Sequence, residues 1–291
     1  MTLPDYNSAS SLKSILDANG FSMQKKFGQN FLINKDARKK IVDALDIQKD
    51  TTVWEVGPGL GAMTSEILER GANLTAFEID KGFASLINQF FEKYKNDNHF
   101  RVVEGDVLKT WKNELKNNGQ PQRFFGNLPY NIAATLIANT IEQGIRFDKC
   151  VFTVQKEVAL RMAAKCGSDD YSSFSVMCQW AYDISVIGDL SGANFWPKPN
   201  VDSRSVIFTP KENFPSCNNP ALFMKMQRAL FSSRRKNVRN NLTQFLSNKD
   251  LTLTCLEKAN IDPTSRAEVL SIEQMLKLSD VINELVNNSK A

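Results

Sequence analysis

Histidine is almost missing from this chain: His99 is the single one among 291 residues, it stands outside every motif, and a surface position ahead of a strand is expected for it. A reaction here has to proceed without a histidine base. The five cysteines (Cys150, Cys166, Cys178, Cys217, Cys255) are widely spaced and form no C-x-x-C pair. Neither a zinc site nor a disulfide framework is indicated, no metal is expected, and an odd count fits a reducing compartment. No run of eighteen apolar residues occurs, so no membrane span is expected. The opening MTLPDYNSAS has no basic stretch followed by an apolar run, so no signal peptide is expected either. Internal repeats and low-complexity segments are absent. These absences together predict a cytoplasmic protein with no membrane partner, expected as a monomer.

What is present is an ordinary globular composition with charge placed unevenly. The net charge is only +4, yet residues 211–291 hold twelve Lys and Arg against eight Asp and Glu, leaving residues 1–210 neutral. Arg234, Arg235, Lys236 and Arg239 concentrate four positive charges in six positions, a candidate phosphate-contacting face. The bland alternative is a solvated helical face. Lys25, Lys26 and Arg38–Lys40 form a fallback basic group.

Apolar patterning divides the chain in the same place. Strand-type runs at Val53–Val56, Leu74–Glu78, Phe100–Glu104, Arg123–Gly126 and Val151–Val154 alternate with helix-type segments at Met63–Arg70, Gly82–Tyr94 and Ile132–Gln143. Such alternation predicts an α/β domain on a mostly parallel, doubly wound sheet, with ligands at the carboxyl ends of the strands. Beyond about residue 210, Leu222, Met226 and Leu230, then Val238, Leu242 and Leu246, then Leu270–Val286 recur at helical spacing. Prolines between 197 and 220 mark the transition. The expectation is a catalytic domain over 1–210 and a small helical domain over 211–291.

Gly57, Gly59 and Gly61 follow the first of those strands and open a helix, where a sharp turn lets backbone approach a ligand closely. The spacing is G-x-G-x-G with Pro58 in the turn, which differs from the dinucleotide pattern G-x-G-x-x-G. Glu78 ends the next strand, where an acid receives a ribose diol, and Asp106 ends the third, within reach of an adenine amino group. S-adenosylmethionine fits this set better than a nicotinamide dinucleotide, because it has no pyrophosphate to cradle. Strand-end carboxylates also cap helices, so each acid has a structural alternative.

Asn127-Leu128-Pro129-Tyr130 comes seventy residues after Gly57. The Asn side-chain oxygen and the carbonyl before Pro can both accept hydrogen bonds from one exocyclic amino group, and Pro adds no competing N–H. The adjacent aromatic offers a face on which a nucleobase can stack. A plain β-turn is the alternative.

With these residues in view, the chain closely resembles the ribosomal RNA adenine dimethyltransferases that modify small-subunit RNA. The likeness is carried by Lys26–Leu32, Glu55–Gly61, Glu78–Asp80, Gly105-Asp106, Gly126–Ile132, Gln155–Ala159, Phe195–Ser203 and Arg234–Leu242. It implies a Rossmann-like methyltransferase domain with a small helical domain. It also implies S-adenosylmethionine contacts at Asn30, Leu32, Gly57, Glu78, Asp106 and Asn127, and a target adenine held by Asn127 through Tyr130, with Phe195 as a second aromatic wall. The implied substrate is a pair of adjacent adenosines near the 3′ end of the small-subunit RNA, free or within the ribosomal particle, each methylated twice at N6. Two departures stand out. Ala133-Ala134 replace a Ser-Thr, and Tyr171–Val176 lacks an Arg otherwise expected at Ser173, so no RNA contact is carried onto Ser173. A methyltransferase acting on large-subunit RNA, a non-catalytic ribosome-assembly factor and a nicotinamide-dependent dehydrogenase are the competing readings.

Overall fold

The computed structural model describes residues 2–21, 30–128 and 130–288, with backbone alone for Tyr130, Asn131 and Asn288. The strands are β1 (Phe31–Leu32), β2 (Thr52–Val56), β3 (Asn73–Glu78), β4 (Phe100–Glu104), β5 (Arg123–Asn127), β6 (Lys149–Gln155), β7 (Tyr182–Leu190), β8 (Phe195–Trp196) and β9 (Ser203–Pro210). The helices are α1 (Ala9–Ala18), α2 (Lys35–Asp43), α3 (Ala62–Glu69), α4 (Lys81–Phe90), α5 (Glu92–Asn96), α6 (Val107–Asn118), α7 (Tyr130–Glu142), α8 (Lys156–Met162), α9 (Ser173–Ala181), α10 (Pro220–Leu230), α11 (Val238–Leu246), α12 (Lys249–Ala259) and α13 (Ile272–Asn288).

Seven strands form one sheet in the order β4-β3-β2-β5-β6-β9-β7. The pairs β2–β3, β3–β4, β2–β5 and β5–β6 are parallel, and β9 closes antiparallel on β6 with Thr153 opposite Ser205. The chain works outward from β2 to β4 and then returns to the other side of β2 at β5. That reversal leaves a crevice beyond the carboxyl ends of β2 and β5, the place where such sheets take ligands. Central strands buried on both faces need continuous apolar runs, and Val53, Trp54 and Val56 are each at most 3% exposed. On one face Trp54 meets Phe77 and Phe124 with centroids 5.1 and 6.2 Å apart, and Phe124 meets Phe147 at 4.7 Å. Val53, Phe125 and Val151 join Ile41, Ile67, Leu86 and Phe91 in a separate apolar cluster.

The five strand-type runs all become strands, and the α/β class holds. β1, β7, β8 and β9 were not expected. β7 has mixed burial, and β1 and β8 are two residues each, so their runs carry little signal. The helix expected over Gly82–Tyr94 is two helices, because the backbone leaves helical geometry at buried Phe91.

The chain divides into two compact units: residues 1–136, 147–159 and 185–209 make the first, and residues 137–146, 160–184 and 210–291 the second. A simple cut after residue 210 therefore needs correction. Residues 137–146 and 160–184, expected in the catalytic domain, belong to the second unit because their apolar side chains pack there. Trp180 packs tilted against Phe214 and Phe223, at 4.5 and 4.7 Å, and its indole N–H donates to the Pro215 carbonyl at 2.7 Å. Helix starts in this unit are set by side-chain caps. Asn219, Asn237 and Asn248 accept from Leu222, Asn240 and Leu251 amides at 3.0, 2.9 and 3.0 Å, and Pro220 takes the first turn of α10. Among the described residues no helix is long and apolar enough to cross a membrane.

Candidate active site

The crevice beyond β2 and β5 is a cavity within the first unit. Its walls include Asn30–Leu32, Glu55–Gly59, Phe77–Ile79, Gly105–Val107, Asn127, Ile132 and Thr153. β2, β3 and β5 deliver their last residues, Val56, Glu78 and Asn127, to the site, which is how a parallel sheet gathers residues distant in sequence.

The glycine run makes the sharp turn that its composition suggested. Gly57 and Gly59 have φ of 74° and 56°, in the left-handed region that disfavours a Cβ. A Cβ on Gly59 would lie 2.9 Å from the Phe31 ring. Backbone and ring thus meet where a side chain would block the floor of the cavity.

Glu78, 5% exposed, accepts hydrogen bonds from Gly59 N at 3.2 Å and from Asp80 N at 2.9 Å. Burial raises its carboxyl from the ordinary range to about 7, against the lowering effect of those two amides. Glu55 is buried beside it and accepts from the Thr64 hydroxyl at 2.7 Å; burial takes its carboxyl to about 8. Asp106 both lines the cavity and caps α6, with Oδ1 accepting from Leu108 N at 3.0 Å. The structural and ligand-facing alternatives for this residue therefore coexist.

Asn127 ends β5 and donates from Nδ2 to the Asn30 carbonyl at 3.3 Å. With one of the two amide N–H bonds engaged there, Oδ1 is the side chain's acceptor. Leu128 turns its side chain inward, 2% exposed, and its amide is held by the Thr153 carbonyl at 3.0 Å. Gly126 permits this, since a Cβ there would come within 2.4 Å of Leu128 Cδ2. Pro129, the Tyr130 side chain and Lys26–Gln29 lie outside the described residues.

Of the expected contacts, Asn30, Leu32, Gly57, Glu78, Asp106 and Asn127 come together around one cavity. Phe195 does not join them and needs correction as an aromatic wall. It is 5% exposed, belongs to the apolar core of the first unit, and sits opposite Leu32 in the β1–β8 ladder. Its neighbour Trp196 stacks on Phe31 with centroids 6.1 Å apart and planes at 24°. The sequence reading missed Glu55, although a lone acid inside the apolar run Val53–Val56 was a usable signal. It also missed Phe31, hidden between two residues that it did name. His99 is half-buried just ahead of β4; its Nδ1 lies 2.6 Å from Asn73 Oδ1, away from the cavity end of the sheet.

In the basic cluster of the second unit, Arg234, Arg235 and Lys236 lie in the turn between α10 and α11, and half-buried Arg239 lies in the first turn of α11. Arg234, Arg235 and Lys236 are exposed, and Arg234 is engaged by Glu268 at 3.5 Å and by the Asp169 carbonyl at 2.7 Å. In the fallback group Arg38 is 3% exposed and cannot reach a partner macromolecule.

A family profile described as Ribosomal RNA adenine dimethylase matches residues 20–284. The chain belongs to the ribosomal RNA adenine dimethylase family. A Ribosomal RNA small subunit methyltransferase A from Treponema denticola is 48% identical, covering 97% of each chain. One of the same description from Borreliella burgdorferi is 40% identical, covering 96% of this chain and 95% of that one. A crystal structure of a dimethyladenosine transferase from Plasmodium falciparum aligns with TM-score 0.73 and 25% identity, over 88% of this chain and 96% of that one. The dimethylase profile begins at residue 20, just beyond α1.

Proposed function

We propose that this dimethylase uses S-adenosylmethionine to methylate N6 of two adjacent adenosines near the 3′ end of small-subunit ribosomal RNA. It does so as a cytoplasmic monomer. The observation that carries the chemistry is the Asn127 amide at the cavity, which donates one N–H to the Asn30 carbonyl and keeps its oxygen as an acceptor.

The cavity fits the cofactor on its own terms. It joins a glycine-rich turn, carboxylates after two consecutive strands and the Phe31 ring. Glu78 would receive the ribose hydroxyls, Asp106 the adenine amino group, and Gly57, Asn30 and Leu32 would close around the remainder. When bound, S-adenosylmethionine supplies a sulfonium methyl group. Adenine N6 is a poor nucleophile because its lone pair is delocalised into the ring. Asn127 Oδ1 and the Leu128 carbonyl would accept its two N–H bonds and favour a pyramidal nitrogen with the lone pair directed at the methyl group. Orientation of this kind supplies much of an enzyme's acceleration. The target base must leave its stack to enter, and Tyr130 would provide the stacking face. Arg234, Arg235, Lys236 and Arg239 would hold the RNA backbone.

The test is methyl transfer from labelled S-adenosylmethionine to purified small-subunit RNA and to small-subunit particles, followed by nucleoside mass spectrometry. N6-dimethyladenosine confined to the small-subunit RNA is expected. Label in large-subunit RNA alone would overturn the substrate assignment, and RNA binding without transfer would overturn the enzymatic one.

A further inference from the structure

Arg38 is a buried guanidinium with no part in the site described so far. A charge this buried is costly unless acceptors surround it. Nη1 donates to the Leu32 carbonyl at 2.9 Å and to the Tyr6 carbonyl at 3.3 Å; Nη2 donates to Asn7 Oδ1 at 2.7 Å. Nε lies 3.4 Å from the Glu66 carboxylate on α3, the helix that opens at the glycine turn. Tyr6 completes the connection from the other end. Its buried hydroxyl donates to the Leu60 carbonyl at 3.0 Å, within that turn. The fit beneath the turn is tight, since a Cβ on Gly61 would lie 3.4 Å from the Tyr6 hydroxyl and 2.5 Å from Phe91.

Two backbone carbonyls are thus held from behind, Leu32 by Arg38 and Leu60 by Tyr6. Leu32 lines the cavity, and Leu60 stands between the lining residues Gly59 and Ala62. Tyr6 itself bridges the two grips, accepting from Arg38 through its carbonyl and donating to Leu60 through its hydroxyl.

We propose that the segment containing Tyr6 and Asn7 is a latch on the cofactor pocket, in which Tyr6 and Arg38 are positioning residues that fix the Asn30–Leu32 wall against the glycine turn. Neither touches the ligand. They set the separation of two walls that do, so their loss changes S-adenosylmethionine affinity while the acceptor turn at Asn127 keeps its chemistry. Tyr6 and Asn7 lie ahead of the residues that the family profile matches. The inference rests on the cofactor reading above.

The experiment compares the full-length wild type with Tyr6→Phe, which keeps the ring and removes one hydrogen bond, and with Arg38→Met, Arg38→Lys and the Tyr6→Phe/Arg38→Met double variant. Calorimetry with S-adenosylmethionine, steady-state kinetics and thermal midpoints are recorded for each. Phe208→Leu, in the core on β9, serves as a control for general softening. A single hydrogen bond corresponds to roughly 3–10-fold in affinity, so Tyr6→Phe is expected to raise Kd and KM for S-adenosylmethionine by about that factor. kcat at saturating cofactor should stay near wild type. Arg38→Met should weaken binding further, Arg38→Lys should rescue part of it, and the double variant should fall short of the product of the single effects. Unchanged Kd in Tyr6→Phe and Arg38→Met overturns the latch, whatever happens to the thermal midpoint. So does an equal loss of affinity in Phe208→Leu at a matched midpoint. If the wild type itself fails to bind S-adenosylmethionine, the cofactor reading fails instead.

Discussion

Glu78 Oε2 accepts a hydrogen bond from Gly59 N across 3.2 Å, so the carboxylate proposed to receive the ribose also fastens the glycine turn. Its protonation state then affects two parts of the pocket together. The ionised form accepts hydrogen bonds at both oxygens, whereas protonation turns one oxygen into a donor. With the free carboxyl raised to about 7 by burial, S-adenosylmethionine affinity should rise with pH through neutrality and level off above it. Below neutrality the loss approaches about tenfold per pH unit. Calorimetric titrations in mildly acidic and mildly alkaline buffers check this. Glu78→Gln should bind more weakly and without the pH dependence, and a wild-type affinity that is flat across neutrality would refute the coupling.

Glu55 predicts a stability effect of the opposite kind to that of a salt-bridged acid. Burial lifts its folded-state carboxyl to about 8, from an ordinary value of 4.5. Between those values the folded protein keeps a proton that the unfolded chain has released. The contribution to stability is therefore whole below 4.5 and is lost as pH rises toward 8, at about 1.4 kcal/mol per unit of difference. Glu55→Gln retains an acceptor for Thr64 and removes the titration. The thermal midpoint of the free wild type should fall over this window more steeply than that of the variant, and parallel curves would sink the argument.

At the acceptor turn, Asn127→Ala removes the oriented oxygen and should lower kcat by roughly 10²–10³, the usual effect of deleting one oriented hydrogen-bonding group. Tyr130→Ala should leave cofactor affinity near wild type and cost about 1–3 kcal/mol in productive base binding, the worth of one stacking face. Single-turnover transfer on small-subunit particles measures both. Normal turnover by Tyr130→Ala would place the base pocket elsewhere.

In the second unit, Arg235 and Arg234 should not contribute equally to RNA binding. Arg234 already faces Glu268 and the Asp169 carbonyl, which offset its charge locally. Arg235→Gln should flatten the slope of log affinity against log salt by roughly 0.7–0.9, and Arg234→Gln by less. Binding curves for small-subunit RNA at several salt concentrations decide this, with cofactor affinity unchanged in both variants.

The sheet was readable because its inner parallel strands β2, β3, β5 and β6 are largely buried and so present mostly apolar runs. Strand ends then located Gly57, Glu78, Asp106 and Asn127 without knowledge of any contact. What escaped notice depended on partners far along the chain. Phe195 looks like an available aromatic until its pairing opposite Leu32 places it in the core. Arg38 reads as one more surface cation, and only Tyr6, Asn7 and Leu32 converging on it reveal a buried hub. The α9 region reads as part of the sheet domain because nothing local announces that Phe214 and Phe223 will cover Trp180.

That last arrangement dictates a schedule during synthesis. Trp180 leaves the ribosome more than thirty residues ahead of Phe214 and more than forty ahead of Phe223. At ~5–20 residues per second its indole waits on the order of seconds for cover. The sheet of the first unit has all its strands once β9 emerges at Pro210, while α9 still lacks the helices that bury it. The nascent chain therefore has every strand of the sheet while the apolar face of α9 is still uncovered, and that interval is when a chaperone would have something to bind.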